Sequence, residues 1–241
     1  MKRISAFIAA CAVMAGSLAS CAAGGTAEGK KRVSKAPLDQ ALIGTWKGEL
    51  TGYRFQDNRK VSLIMDFSSS MHFNSDGTFT FSGETYGKDD LSFDGSILKA
   101  SFVYEPEEGE EVSDDMLEPV DILMLERKGE ADSSTFDGVY DVIGGEYVGL
   151  IAGNLAIAPE NLFLEAEIDG ENLYFTAVDY CDYETKKGKL EMFSDNMHFV
   201  DEKATSVKYE YAINGDELKL TYLGKTEDGT EAPVETLKRA D

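Results

Sequence analysis

Three kinds of side chain in this sequence could do chemistry: two histidines, one cysteine far from the N-terminus, and many carboxylates. His72 and His198 hold equivalent places in Met71-His72-Phe73 and Met197-His198-Phe199, and two imidazoles meeting at one point could hold a metal ion or pass a proton. Alternation argues otherwise. In an extended strand Met71 and Phe73 share one face and His72 takes the other, so an inward apolar pair turns the histidine to solvent, and the same holds around His198. Cys181 could act as a nucleophile, yet no local signature surrounds it and no activating base is identifiable. Asn74, Asp76 and Gly77 fall at spacings found within calcium loops, but the first and twelfth positions of such a loop would be His72 and Gly83, where acids are required, so the segment reads as a hairpin turn. The acidic run from Glu105 to Asp115 lacks the fixed carboxylate spacing of a calcium site and reads as a solvated loop. No His-Glu-x-x-His, Gly-x-Ser-x-Gly, phosphate-cradling glycine loop or CxxC is present. The sequence therefore supports no enzymatic activity, no metal and no cofactor.

The elements that would position a site come from the rest of the chain. Its 241 residues carry 45 acidic against 23 basic side chains, a net charge of −22. A field of that sign repels phosphates, which excludes a nucleic-acid partner. Period-two alternation runs through Thr78-Phe79-Thr80-Phe81, Leu162 to Ala166, Val207 to Tyr211 and Leu218 to Tyr222, as in half-buried strands. Between such runs sit Asp76-Gly77, Asp94-Gly95, Asp169-Gly170 and Asn214-Gly215, dipeptides that accept the positive φ of tight hairpin turns. An all-β, antiparallel fold follows. Gly149 to Ala156 is the one stretch that reads as a short helix, with a single helical turn at Ser113 to Leu117 before Pro119.

The chain also repeats itself. Arg59 to Phe73 recurs, one residue shorter, as Lys186 to Phe199. Phe93 to Lys99 answers Ile213 to Lys219, and Pro119-Val120 before Arg127 answers Pro233-Val234 before Arg239. Three matches in order indicate a duplicated β unit. Two related tandem modules are expected, over residues 40–130 and 131–241, joined near the polar Lys128 to Ser134; one large barrel built from both halves is the other arrangement open to a chain of this length.

The N-terminus has its own pattern. Lys2 and Arg3 precede an apolar run from Ala6 to Leu18, too short for the roughly 20 residues that span a bilayer, and small residues follow. That order is a signal peptide over residues 1–20. Its ending, Leu18-Ala19-Ser20-Cys21, resembles the lipobox of bacterial lipoproteins. The resemblance implies a diacylglyceryl group on Cys21, cleavage before it, and a protein held outside the cell membrane by lipid. Residues 21–39, rich in Ala, Gly, Lys and Ser, read as a flexible linker. With Cys11 lost to the signal and Cys21 to lipid, Cys181 has no partner for an intramolecular disulfide, and stability must come from a hydrophobic core.

The body carries a second resemblance. Leu42-Ile43-Gly44-Thr45-Trp46, then Phe73 to Thr78, hairpins at Asp-Gly or Asn-Gly, and a closing Leu-x-Arg are similar to lipocalin-like domains of bacterial lipoproteins. In that family a tryptophan early in the first strand is covered by an arginine from the last, at the closed end of the barrel. The resemblance implies that Trp46 meets Arg127 if each module closes alone, or Arg239 if the whole chain forms one barrel; Tyr140 stands in the tryptophan's place in the second module. It also implies a lipid-anchored module that binds a small apolar ligand, with an envelope protein as the alternative partner of a barrel filled by its own side chains. No ligand-binding residue is identifiable from the sequence.

Overall fold

The computed structural model describes residues 37–81, 83–103, 118–155, 157–194, 205–223 and 234–240. The expected signal peptide, Cys21 and most of the linker, the acidic run at 105–115, the helical turn at 113–117 and His198 lie outside them.

The chain is all-β, as alternation implies. In order it forms β1 (Gly44–Lys47), β2 (Thr51–Phe55), β3 (Lys60–Asp66), β4 (Met71–Phe73), β5 (Phe79–Phe81), β6 (Glu84–Tyr86), β7 (Leu91–Phe93), β8 (Ile97–Phe102), β9 (Val120–Arg127) and β10 (Gly138–Gly144). Helix α1 (Glu146–Asn154) follows, then β11 (Leu164–Asp169), β12 (Asn172–Lys186), β13 (Lys189–Ser194), β14 (Thr205–Asn214), β15 (Glu217–Tyr222) and β16 (Val234–Arg239). The helix begins three residues earlier than the sequence suggests and ends at Asn154. Hairpins turn where glycine was expected to permit them: Gly95 and Gly215 sit at φ +95° and +61°, conformations that cost a residue with a Cβ but not glycine.

Two compact units emerge. The first holds the described residues of Met1–Asp66, Ala152–Phe163 and Thr176–Asp241; the second holds Phe67–Ile151 and Leu164–Phe175. Residue 130, where the sequence places a junction between tandem modules, falls inside the second unit. The units are thus interleaved along the chain, because the strand that completes the first sheet after β3 is β12 and not its sequence neighbour β4.

In the first unit the strands hydrogen-bond in the ring β12–β13–β14–β15–β16–β1–β2–β3–β12. This is a closed, antiparallel, eight-stranded barrel, and closure removes the free edges that would recruit other chains. The first and last strands seal it, with Trp46 opposite Arg239 and Lys47 opposite Lys238. Alternation sends one face of each strand inward: Trp46; Phe55; Val61, Leu63 and Met65; Tyr183; Leu190; Leu218 and Leu220; and Leu237 are all buried. Strand β12 carries an irregularity at Asp179, whose φ of +51° is held by its amide donating to Ser62 Oγ (3.2 Å) and its carboxylate accepting from Gln56 Nε2 (2.8 Å).

In the second unit the order is β12–β11–β10–β9–β8–β7, with β4–β5–β6 as a separate three-stranded sheet. Its core is aromatic: Tyr147 of α1 meets Phe67 and Phe81 edge-on, and Phe67 meets Phe175 at 5.1 Å. No helix among the described residues is long and apolar enough to cross a membrane.

Candidate functional site

The barrel of the first unit has two unlike ends. One carries the tight turns: Gln56 to Lys60, Lys187-Gly188 and Asn214-Gly215-Asp216. Here Trp46, wholly buried, lies under the Arg239 guanidinium, whose central carbon is 4.2 Å from the ring centroid. Arg239 donates through Nη1 to the Ile43 carbonyl (3.1 Å) and through Nη2 to the Ala41 carbonyl (2.7 Å), while Trp46 Nε1 donates to the Leu42 carbonyl (2.8 Å). Asp39 is fastened at the same end: its amide donates to Thr185 Oγ1 (3.2 Å) and its carboxylate accepts from the Tyr211 hydroxyl (2.8 Å). Burial, with the Asp39 charge behind it, pushes the Tyr211 phenol above its ordinary value. This end is plugged.

The second unit builds the same corner from different residues. Arg127 lies over Tyr140 at 5.0 Å and pairs with it across β9 and β10. Its Nη1 and Nη2 donate to the carbonyls of Asp137 and Thr135, both at 2.6 Å. Those carbonyls stand three and five residues before Tyr140, as Ile43 and Ala41 stand before Trp46. The Tyr140 hydroxyl reaches Phe136 four residues back (2.5 Å), as Trp46 reaches Leu42. Gly138 and Gly44, each two residues before the ring, both take positive φ. Of the two partners open to Trp46 in the sequence, the structure provides Arg239, and Arg127 belongs to Tyr140.

The other end of the barrel is the candidate site. On β16 the inward face reads Glu235, Leu237, Arg239, so Glu235 is the inward residue farthest from the plug. Thr51 Oγ1 donates to its carboxylate at 2.7 Å and the Tyr53 hydroxyl at 3.4 Å. Among the described residues it has no ion-pair partner. Burial raises the Glu235 pKa above its ordinary value, and the two hydroxyl bonds only partly oppose that. Around it the interior stays packed: Tyr53, Met192, Tyr209 and Tyr222 keep 6, 7, 9 and 7 % of their surface, and Leu220, opposite Glu235 on β15, keeps none. The Tyr209 and Tyr222 rings pack at 6.0 Å. Leu50 before β2 is exposed at this end, while Leu223 after β15 and Val234 opening β16, also exposed, alternate with inward Tyr222 and Glu235 and so face outward. Sequence reasoning missed Glu235; one glutamate among 45 acids carries no signal until the barrel register turns it inward.

A cleft of about 400 Å³ lies in the second unit, lined by Phe73, Asn74, Asp76, Phe136, Asp137 and Glu171 among others. Asp76 is the turn residue expected from the sequence: its carboxylate accepts from the Thr78 amide (3.0 Å) and hydroxyl (2.7 Å), which lower its pKa. His72 alternates with buried Met71 and Phe73 and places Nδ1 3.2 Å from the Ser68 carbonyl. Cys181 is buried, and desolvation drives its thiol pKa far up, with the Asp182 charge adding to the effect. Among the described residues no cluster of His, Cys, Asp and Glu could hold a metal ion.

The fold defines an antiparallel, eight-stranded β-barrel closed by an arginine-capped aromatic residue, an architecture compatible with a lipocalin-like fold. No family model, curated protein or solved structure matches the chain.

Proposed function

We propose that the protein is an extracytoplasmic, lipid-anchored binding module, tethered through Cys21, which takes a small ligand with an apolar body at the end of its eight-stranded barrel opposite the Trp46 plug. The observation that carries this reading is the polarity of that barrel. One end is plugged by Trp46, Arg239 and the leucines beneath them, and the other presents the part-buried Glu235 carboxyl and three tyrosines. A barrel of eight strands has room for side chains and at most a small ligand. Atoms lining a large empty cavity would be accessible, and the residues toward the plug are not, so ligand contact falls to the mouth. Among the described residues no nucleophile with an activated partner stands there, and a role in binding is the reading we put forward.

Two experiments test the reading. The full chain, extracted gently from its own membrane and weighed by native mass spectrometry, is expected to carry a reproducible small-molecule mass that unfolding releases; a bare mass in repeated preparations refutes ligand binding. Cys21→Ala is expected to move the protein from the membrane fraction to the soluble fraction, and an unchanged membrane fraction sinks the tether.

A further inference from the structure

We infer that the protein is an internally exchanged pair of modules, in which residues 40–130 and 131–241 hold each other through shared cores and stay one particle when the connection between them is cut. Each module opens on a ring and closes on an arginine, Trp46 to Arg127 and Tyr140 to Arg239. A module shut on itself would bring its own pair together. The structure does the reverse: Arg239 lies 4.2 Å over Trp46, and Arg127 lies 5.0 Å over Tyr140. Each arginine still reaches two backbone carbonyls ahead of the ring it covers, so the exchange costs neither its bonds. The strands divide in the same way. β1, β2 and β3 of the first module are completed by β13 to β16 of the second and by β12 from Thr176 onward, while β10, β11 and β12 as far as Phe175 share a unit with β4 to β9. Three seams of strand pairing therefore run between the halves: β1 with β16, β3 with β12, and β9 with β10. Side chains cross the seams as well. Lys60 pairs with Asp182 at 2.8 Å, and the hydroxyls of Tyr183 and Tyr211 donate to the Gln56 carbonyl and the Asp39 carboxylate, both at 2.8 Å. Phe67 and Phe175, one from each half, meet at 5.1 Å. The barrel interior is drawn from both halves too, Trp46, Phe55 and Leu63 from one and Leu190, Leu218 and Leu237 from the other. An interface that amounts to a core cut in two is the kind found in obligate complexes. The peptide connection adds little to it, since Lys128 to Ser134 is exposed throughout. A protease that reaches this stretch nicks the protein without releasing either half.

The test inserts a specific protease site between Glu130 and Ala131 of the full chain, cuts the native protein to completion, and follows the product by size exclusion and native mass spectrometry. The two fragments are expected to run together at the mass of the uncut protein, to stay together through about hundredfold dilution, and to part only in urea. Trp46, the sole tryptophan, has its arginine on the other fragment and is expected to keep its emission after the cut. Fragments that separate without denaturant overturn the inference, because modules shut on themselves are joined by the connection alone. A second measurement needs no cut. Arg239→Lys, which keeps the charge and loses the planar fork, is expected to shift the emission of Trp46, whereas Arg127→Lys leaves it where the parent has it. A shift from Arg127→Lys with none from Arg239→Lys is the signature of unexchanged modules and overturns the inference as well.

Discussion

The Trp46–Arg239 corner should be worth more than its parts, and a double-mutant cycle measures by how much. Replacing Arg239 with alanine removes a cation poised 4.2 Å over a wholly buried indole, a contact worth about 0.5–2 kcal/mol depending on desolvation. It also leaves two carbonyls without their donor. Ile43 is part-buried and its charge-assisted bond contributes about 1.5 kcal/mol, while the exposed Ala41 carbonyl is rehydrated at little cost. The sum is about 3 kcal/mol. Trp46→Leu opens space in a filled barrel and strands the Leu42 carbonyl that accepts from Nε1, again costing about 3 kcal/mol. The two losses share the ring–guanidinium contact, so the double variant should be about 1 kcal/mol more stable than additivity implies. Urea unfolding followed by far-ultraviolet circular dichroism reads all four proteins. In the variants that keep it, fluorescence of Trp46, the sole tryptophan of the chain, follows the barrel unit specifically. A coupling below about 0.3 kcal/mol would mean that arginine and indole are neighbours without an energetic bond, and the plug would have to be explained by burial alone.

Other expectations follow from the same coordinates. Gly145→Ala should destabilise the second unit by more than about 1 kcal/mol in thermal or urea unfolding, because the glycine sits at φ +108° and an added Cβ would overlap the Ile122 carbonyl; an unchanged midpoint would show that the approach is not tight. Maleimide should label Cys181 only as fast as the protein opens, since the thiol is buried and its thiolate disfavoured; stoichiometric labelling of the native protein within mixing time would contradict its placement. Glu235 holds its proton to higher pH when folded than its ordinary value of 4.5 allows. The stability it confers is therefore complete below about pH 4.5 and lost as pH rises through the raised folded value. Glu235→Gln should match the parent in acid and exceed it at neutral pH in thermal melts, and a variant less stable than the parent at neutral pH would reverse the argument.

Much of this architecture is local in origin, and that part was legible. Asp94-Gly95 and Asn214-Gly215 specify turns by the φ they tolerate, and alternation in Leu218 to Tyr222 gives a strand and its inward face from five residues. The ring and arginine of each corner could be named too, because glycine two residues before an aromatic is a short-range pattern; which arginine meets which ring could not, since Trp46 and Arg239 are brought together by closure of the whole barrel. The interleaving of the units escaped the sequence for the same reason. Nothing near Asp66 says that its strand's neighbour is more than a hundred residues away, and the repeat suggested a succession at residue 130. Cys181 and Glu235 show the remaining limit, for burial of a thiol or a carboxyl is a property of the closed barrel.

The seam between β1 and β16 also sets a timetable. β1 precedes every other strand of the barrel, yet the strand that covers it is β16, with Trp46 set opposite Arg239. Until then the barrel is an open sheet with an unpaired edge, and contacts this distant in sequence form slowly. Loss of β16 would remove both Arg239 of the plug and Glu235. The barrel shuts only when β16 reaches β1, so the seam and the plug over Trp46 form in the same event.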